Sequence, residues 1–167
     1  AAFGEDGWQC WWQALKDNDV VIVSDWETAY YTNFSGSSGR GSQPMVVSYA
    51  SSPAAELIYA ETPLEESPTG AITADGTCWR QIEFAGILKG TPRRALAEKF
   101  IDFLLSKPFQ EDMPLQMFVF PVLPGASLPQ DFARASAIPA VPASLDPRLI
   151  AQRRDTWLRA WTDLMLK

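Results

Sequence analysis

The chain has no histidine. A Ser-His-Asp triad, a Cys-His dyad and a His-bearing zinc site are therefore excluded. Only carboxylate or lysine chemistry stays open to an enzyme. Cysteine is nearly as scarce, with Cys10 and Cys78 far apart and neither in a CxxC pattern. Zinc-ribbon and thioredoxin chemistry fall away with that pattern. The pair fits a disulfide in an oxidising compartment, or two inert buried thiols. No apolar run approaches the roughly 18 residues that a membrane span needs. The start, "AAFGEDGWQCWWQALKD", is acidic and amphipathic and lacks the basic region of a signal peptide. It fits a cytosolic protein, a mature chain or a fragment. Positive charge is also short: 14 Lys and Arg stand against 20 Asp and Glu, for a net charge of −6 and a pI near 4.6. Nucleic acid is a poor partner for such a surface, because phosphate contacts need Lys and Arg. A soluble protein, or a site for a cation, suits it better. No metal site and no cofactor are expected.

What the chain does have is apolar and aromatic mass. Hydrophobic residues make up 47% of it, with seven Trp, nine Phe and four Tyr. Its 167 residues suffice for one domain, or one and a fragment. Aromatic side chains in such number either fill a core or stack on a flat ligand.

Trp8, Trp11, Trp12 and Leu15 recur at spacings of three and four, which predicts an amphipathic helix over Trp8–Asp19. "VVIV" (Val20–Val23) reads as a short buried strand. Ser24 or Asp25 then caps a helix carrying Trp26, Ala29, Tyr30 and Phe34. Ser35–Pro44, "SGSSGRGSQP", reads as a flexible loop. "MVVSY" (Met45–Tyr49) is the next strand, and Ser52 as N-cap with Pro53 at the first helical position starts a helix reaching Tyr59. This β-α-β-α alternation predicts an α/β fold with a mainly parallel sheet covered by helices. Further on, Thr62–Thr77 is a polar connection and "RQIEFAGIL" (Arg80–Leu88) a strand. Thr91 caps a helix with Pro92 at its first position and a stripe of Leu96, Phe100, Phe103 and Leu104. Pro108 ends that helix and opens a short second one. "MFVFPV" (Met117–Val122) is strand-like. The stretch that follows, up to Pro147, is rich in Pro and Ala and reads as an extended crossing. Asp146-Pro147 opens a last helix with Ile150, Trp157, Trp161 and Leu164 on one face.

Five stretches, "VSDWETAYYTNF", "PMVVSYASSPAAE", "GTCWRQIEFAGILKGT", "KFIDFLLSKPFQEDMPLQMFVFPV" and "AQRRDTWLRAWTDLM", together resemble the thiamine-type extracellular solute-binding proteins of ABC importers. That group lies within the two-lobed type 2 periplasmic binding protein superfamily, which also binds iron and polyamines. The resemblance covers nearly the whole chain, and "SYASSPA" and "FQEDMPLQMFVFPV" are its most specific parts. It implies periplasmic-binding-protein-like lobes, incomplete without an N-terminal segment, since two-domain members run to about twice this length. The chain resembles the second half. Residues 1–78 are expected to form the α/β part of the second lobe, and 79–124 a return segment on the first lobe. Residues 125–144 are expected to be the crossing and 145–167 a helix on the second lobe. A half chain without its partner lobe exposes apolar surface, which favours dimers or swapped assemblies.

The implied role is capture of thiamine, its phosphates or a related small cation, for delivery to the membrane subunits of an ABC importer. The implied place is the periplasm or cell exterior, and no catalysis is involved. By the resemblance, Trp26 matches a ligand-stacking tryptophan, and the pocket uses the turn holding Tyr49, Ser51 and Ser52. Hydroxyls and free helix amides there suit a phosphate or ring oxygen. Phe118 matches a position where such proteins carry Trp, so it keeps stacking but drops the indole donor. By the same resemblance, Ala55 stands where well-matched thiamine binders carry Tyr, and one stacking face is lost; Tyr59 is a candidate to replace it in space. A core-capping Trp26 and a purely structural Ser52 are the plainer readings of the same residues.

Other readings use other residues. Tyr30-Tyr31 is similar to the paired tyrosines of iron-binding relatives. Neighbours on a helix diverge by about 100°, which favours one core and one surface tyrosine. Glu56, Glu61, Glu65, Glu66 and Asp75 form a solvated acidic face or a field for a cation. A carboxylate enzyme would pair Glu83 with Asp102 or Glu111.

Overall fold

The computed structural model describes residues 1–167, with the side chains of all but Ser37 and Ser38. Helix α1 (Gly4–Asp17) leads into an irregular stretch and then a π-helical turn, Thr28–Asn33. There follow α2 (Ser35–Ser38), α3 (Ser52–Ile58), α4 (Arg94–Leu104), α5 (Lys107–Met117), α6 (Gln130–Ala135) and α7 (Pro147–Met165).

The predicted parallel sheet is absent among the described residues. Only two isolated parallel bridges occur, Phe34 with Gln43 and Trp79 with Ala143. The expected strands Val20–Val23, Met45–Tyr49, Arg80–Leu88 and Met117–Val122 carry no ladder. The reason is physical. A strand exists only through the N–H and C=O groups of a neighbouring run, and β-branched composition reports fitness for a half-buried pleated surface rather than a backbone preference. Here no second run lies alongside to complete a ladder, and much of their apolar surface stays in solvent: Val47 is 89% exposed and Phe84 88%. The α/β expectation is therefore corrected to a set of helices joined by long irregular segments.

Two packing centres hold these helices. In the first, α1 lies on α7. Trp12 meets Trp161 edge-on with ring centroids 5.6 Å apart. The Glu5 carboxylate takes two N–H groups of Arg153, and Lys16 Nζ donates to the Leu164 carbonyl at 2.6 Å. Helix α7 starts where Asp146 accepts from the Arg148 amide at 2.8 Å with Pro147 next in line, as capping chemistry dictates.

In the second centre, α3 packs on α6. Pro53, Ala54 and Leu57 of α3 and Phe132 of α6 are buried there. Phe118 and Phe120 close on Phe132 at 6.2 and 5.3 Å. Gln110 of α5 ties the chain around this core. It is buried, donates to the Leu104 carbonyl at 2.7 Å and accepts from the Val122 amide at 2.7 Å.

The stretch 125–144, expected to be extended, holds helix α6, and its end is tied down by Gly76 N–H to the Val141 carbonyl at 2.8 Å and Ala143 N–H to the Cys78 carbonyl at 2.7 Å. Cys10 is exposed on α1 and Cys78 half-buried, and both are free thiols, so neither matches a deeply buried pair. Helix α4 starts at Arg94, beyond the expected Thr91 cap; Thr91 Oγ1 accepts from the Arg93 amide at 3.3 Å. Among the described residues, no helix is long and apolar enough to cross a membrane.

Candidate ligand-binding site

The site is built on the turn that precedes Trp26. Asp25 accepts from the Thr28 amide at 2.7 Å and the Thr28 hydroxyl at 3.0 Å, while Ser24 donates to it at 2.8 Å. These bonds, the Thr28 amide first, hold the Asp25 carboxyl below the usual carboxylate range. They also fix the start of the helical segment that carries Trp26.

That segment widens at once into the π-turn, where the Phe34 amide bonds back to the Ala29 carbonyl at 3.0 Å. Single π-turns are rare and often mark functional positions. The consequence here is that Tyr30 and Tyr31 both reach Trp26. Tyr30 stacks on it with centroids 4.8 Å apart at 18°, and Tyr31 meets it edge-on at 5.4 Å. Tyr30 is 3% exposed and Tyr31 lies in solvent, one core and one surface tyrosine.

Trp26 and Tyr49 meet at a tilt of 53° with centroids 6.1 Å apart, and are 37% and 59% exposed. A hydrogen-bonded chain joins their backbones' neighbourhoods. The Trp26 indole N–H donates to Ser48 Oγ at 3.1 Å, and the Ser48 and Ser52 hydroxyls are hydrogen-bonded to each other at 2.7 Å. The Tyr49 amide donates to Ser52 Oγ at 3.3 Å. Ser48 was not among the residues singled out by sequence; its signal is a small polar residue inside the apolar run "MVVSY".

Two details of the expected turn are corrected. Ser51, not Ser52, is the cap position of α3, and no side-chain cap bond forms there. The Ser52 hydroxyl is taken by Ser48 and Tyr49, and Ser51 Oγ donates to the Phe118 carbonyl at 2.5 Å. The helix amides are not free either. Ser52 N–H goes to the Tyr49 carbonyl at 2.9 Å and Ala54 N–H to the Ser51 carbonyl at 3.1 Å. An anion held by those amides has no geometric basis.

Phe118 stands apart from the other aromatics. Its ring contacts are Tyr59 at 5.3 Å and Phe132 at 6.2 Å, and its backbone sits in the left-handed region at φ 52°. Trp26, Tyr49 and Ser52 are thus gathered directly, while Phe118 is tied to the same turn by Ser51. Tyr59 lies on the Phe118 side, its hydroxyl 3.5 Å from the Leu115 carbonyl.

The Tyr30 phenol is sealed from solvent, 3% exposed beneath Trp26. Burial, then the Glu56 carboxylate, push this phenol well above the ordinary 10.0. The carboxylate Glu111 is committed elsewhere, accepting from the Ser127 amide at 2.8 Å beside Lys107. No group of three or more Cys, Asp or Glu is arranged to hold a metal ion among the described residues.

Comparison with known proteins places this geometry in context. The chain is 30% identical over 159 residues to the thiamine-binding periplasmic protein of Salmonella typhimurium (strain LT2), and 28% identical over 159 residues to that of Escherichia coli (strain K12). Each match takes in 95% of this chain and 45% of the relative. The thiamine-binding periplasmic protein of Brucella suis matches at 28% identity over 153 residues, 90% of this chain and 42% of the relative. The chain is a homologue of the thiamine-binding periplasmic proteins. It spans less than half the length of these relatives, which agrees with the half-length expected from the resemblance. No protein-family model matches the chain, and no solved structure does.

Proposed function

We propose that the chain is part of a solute-binding component of an ABC transporter, and that it captures thiamine or a related small cation for import. The observation that supports this most is the similarity, along 95% of the chain, to proteins named for thiamine binding. The local chemistry agrees with it. Trp26 and Tyr49 offer two partly exposed aromatic faces 6.1 Å apart. A thiazolium over such a face gains about 0.5–2 kcal/mol. Ser48 and Ser52 bring hydroxyls to the same corner. Ser51 and Phe118 extend the proposed site toward α5. The protein works outside the cytoplasmic membrane and hands its cargo to the importer's membrane subunits. It performs no bond chemistry, and its work is selective capture.

The test is isothermal titration of the complete protein with thiamine, thiamine monophosphate and thiamine diphosphate, with thermal shift alongside. Heat and stabilisation by at least one of the three are expected. No heat and no shift at saturating concentration remove this cargo.

A further inference from the structure

We propose that Ser48 is the positioning residue of the Trp26–Tyr49 corner: its hydroxyl, held by Ser52, fixes the turn of the indole so that both rings stand ready before cargo arrives. The role rests on the reading of this corner as a thiamine site. Two kinds of contact bear on Trp26, and they restrain different motions. Tyr30 stacks on the indole at 4.8 Å and 18°, which sets the plane of the ring. Stacked rings are satisfied over centroid separations of roughly 4.5–7 Å, so the stack alone leaves sliding and turning in that plane open. A hydrogen bond is directional and weakens steeply as it bends. The indole has a single donor, and it points at Ser48 Oγ, 3.1 Å away. That bond fixes the turn.

The local sequence places Ser48 for this work. Exposure alternates along the run, with Met45, Val47 and Tyr49 exposed and Val46 and Ser48 half-buried. Adjacent residues of an extended run point to opposite sides. Ser48 and Tyr49 nevertheless both meet Trp26, one at its N–H edge and the other at its ring. Ser48 is itself secured. Its hydroxyl and that of Ser52 are bonded at 2.7 Å, and Ser52 Oγ also accepts from the Tyr49 amide at 3.3 Å. A serine side chain has several staggered wells, and the second bond selects one. Through Ser52, the indole and the Tyr49 backbone are tied to the first turn of α3. Trp26 and Tyr49 are both exposed, so packing alone holds neither ring. Rings left loose would be ordered by the ligand, at a cost in affinity for each side chain immobilised. A corner set in advance escapes that cost.

The experiment uses the complete protein with isotope-labelled tryptophan and follows the indole N–H signals by NMR. The Trp26 signal is the one missing from Trp26→Phe. Thiamine affinity is measured by titration calorimetry in wild type, Ser48→Ala, Ser48→Thr and Ser52→Ala, with thermal melts to confirm folding. Ser48→Ala is expected to shift the Trp26 indole signal and speed its hydrogen exchange. It should also weaken thiamine about two- to fivefold, the equivalent of ordering one side chain. Ser48→Thr keeps the hydroxyl and is expected to restore most of both. Ser52→Ala should move both in the same direction by less. An unmoved indole signal in Ser48→Ala, or a moved signal with thiamine affinity at the wild-type value, overturns the role of Ser48 while the cargo reading stands. Absence of thiamine binding by wild type overturns both.

Discussion

Trp26 and Tyr30 lie face to face, 4.8 Å apart and 18° from parallel, with one ring in solvent and the other sealed beneath it. The buried phenol is the floor on which the exposed indole rests. Tyr30→Ala is therefore expected to cost about 3 kcal/mol, the usual cost of emptying a buried aromatic position. It should also free the indole of Trp26. Urea unfolding followed by fluorescence checks both effects. Tyr30→Phe, which keeps the stack, should cost far less.

The same phenol gives a pH dependence with a definite sign. Burial and the Glu56 carboxylate raise its folded value above the ordinary 10.0. A group raised on folding contributes stability that is complete below the unfolded value and is lost as pH rises toward the folded one. Stability should therefore fall between about pH 10 and 12 through this residue. Urea midpoints across that range, wild type against Tyr30→Phe, measure it. The decline should be shallower in the variant.

The indole itself can be divided into face and donor. Trp26→Ala should weaken thiamine binding about 3- to 30-fold, the equivalent of one cation–π contact. Trp26→Phe keeps a face and gives up the bond to Ser48. Its loss should be smaller, and Ser48→Ala in the wild-type background should match it. A titration series over the three variants separates the two contributions.

The helices were readable because their signals are local. Trp8, Trp11, Trp12 and Leu15 announce α1, and Asp146-Pro147 marks the start of α7 to the residue. The strands were misread because a ladder is a property of two segments, and Val20–Val23 or Arg80–Leu88 says nothing of whether a second is present. The π-turn was hidden for a related reason. One extra residue in a helical turn leaves no periodicity to detect, yet it decides that Tyr30 and Tyr31 both touch Trp26. Trp26, Tyr49 and Ser52 were grouped by the resemblance; the sheet expected to bring their runs side by side is absent among the described residues, and Trp26 and Tyr49 meet without it. Ser51 and Ser52 could not be assigned their bonds, since the choice of partner among Ser48, Tyr49 and Phe118 is made by tertiary packing.

The end of the π-turn is pinned by Gln43, whose amide donates to the Asn33 carbonyl and whose carbonyl accepts from Ser35, both at 2.9 Å. Gly41 passes so close that an added Cβ would stand 2.3 Å from the Asn33 carbonyl oxygen. Because the obstacle is backbone, it has no rotamer to escape into. Gly41→Ala should break this bridge, loosen Tyr31 and Phe34, and raise amide exchange over residues 33–43 while leaving α7 protected. Hydrogen exchange by mass spectrometry reads the two regions separately.

Gln110 offers the sharpest test of the second packing centre. Its amide group donates to Leu104 and accepts from Val122 and more weakly from Leu123, spanning the end of α4 and the segment after α5. Gln110→Leu keeps the volume and orphans a buried carbonyl and an amide. About 1–3 kcal/mol is expected for leaving such groups unpaired. Gln110→Glu keeps the acceptor for Val122 and turns the donor toward Leu104 into a second acceptor, so it should be no milder. Denaturation midpoints order the two variants. If Gln110→Leu unfolds at the wild-type midpoint, this side chain does not hold the Leu104 and Val122 backbones together.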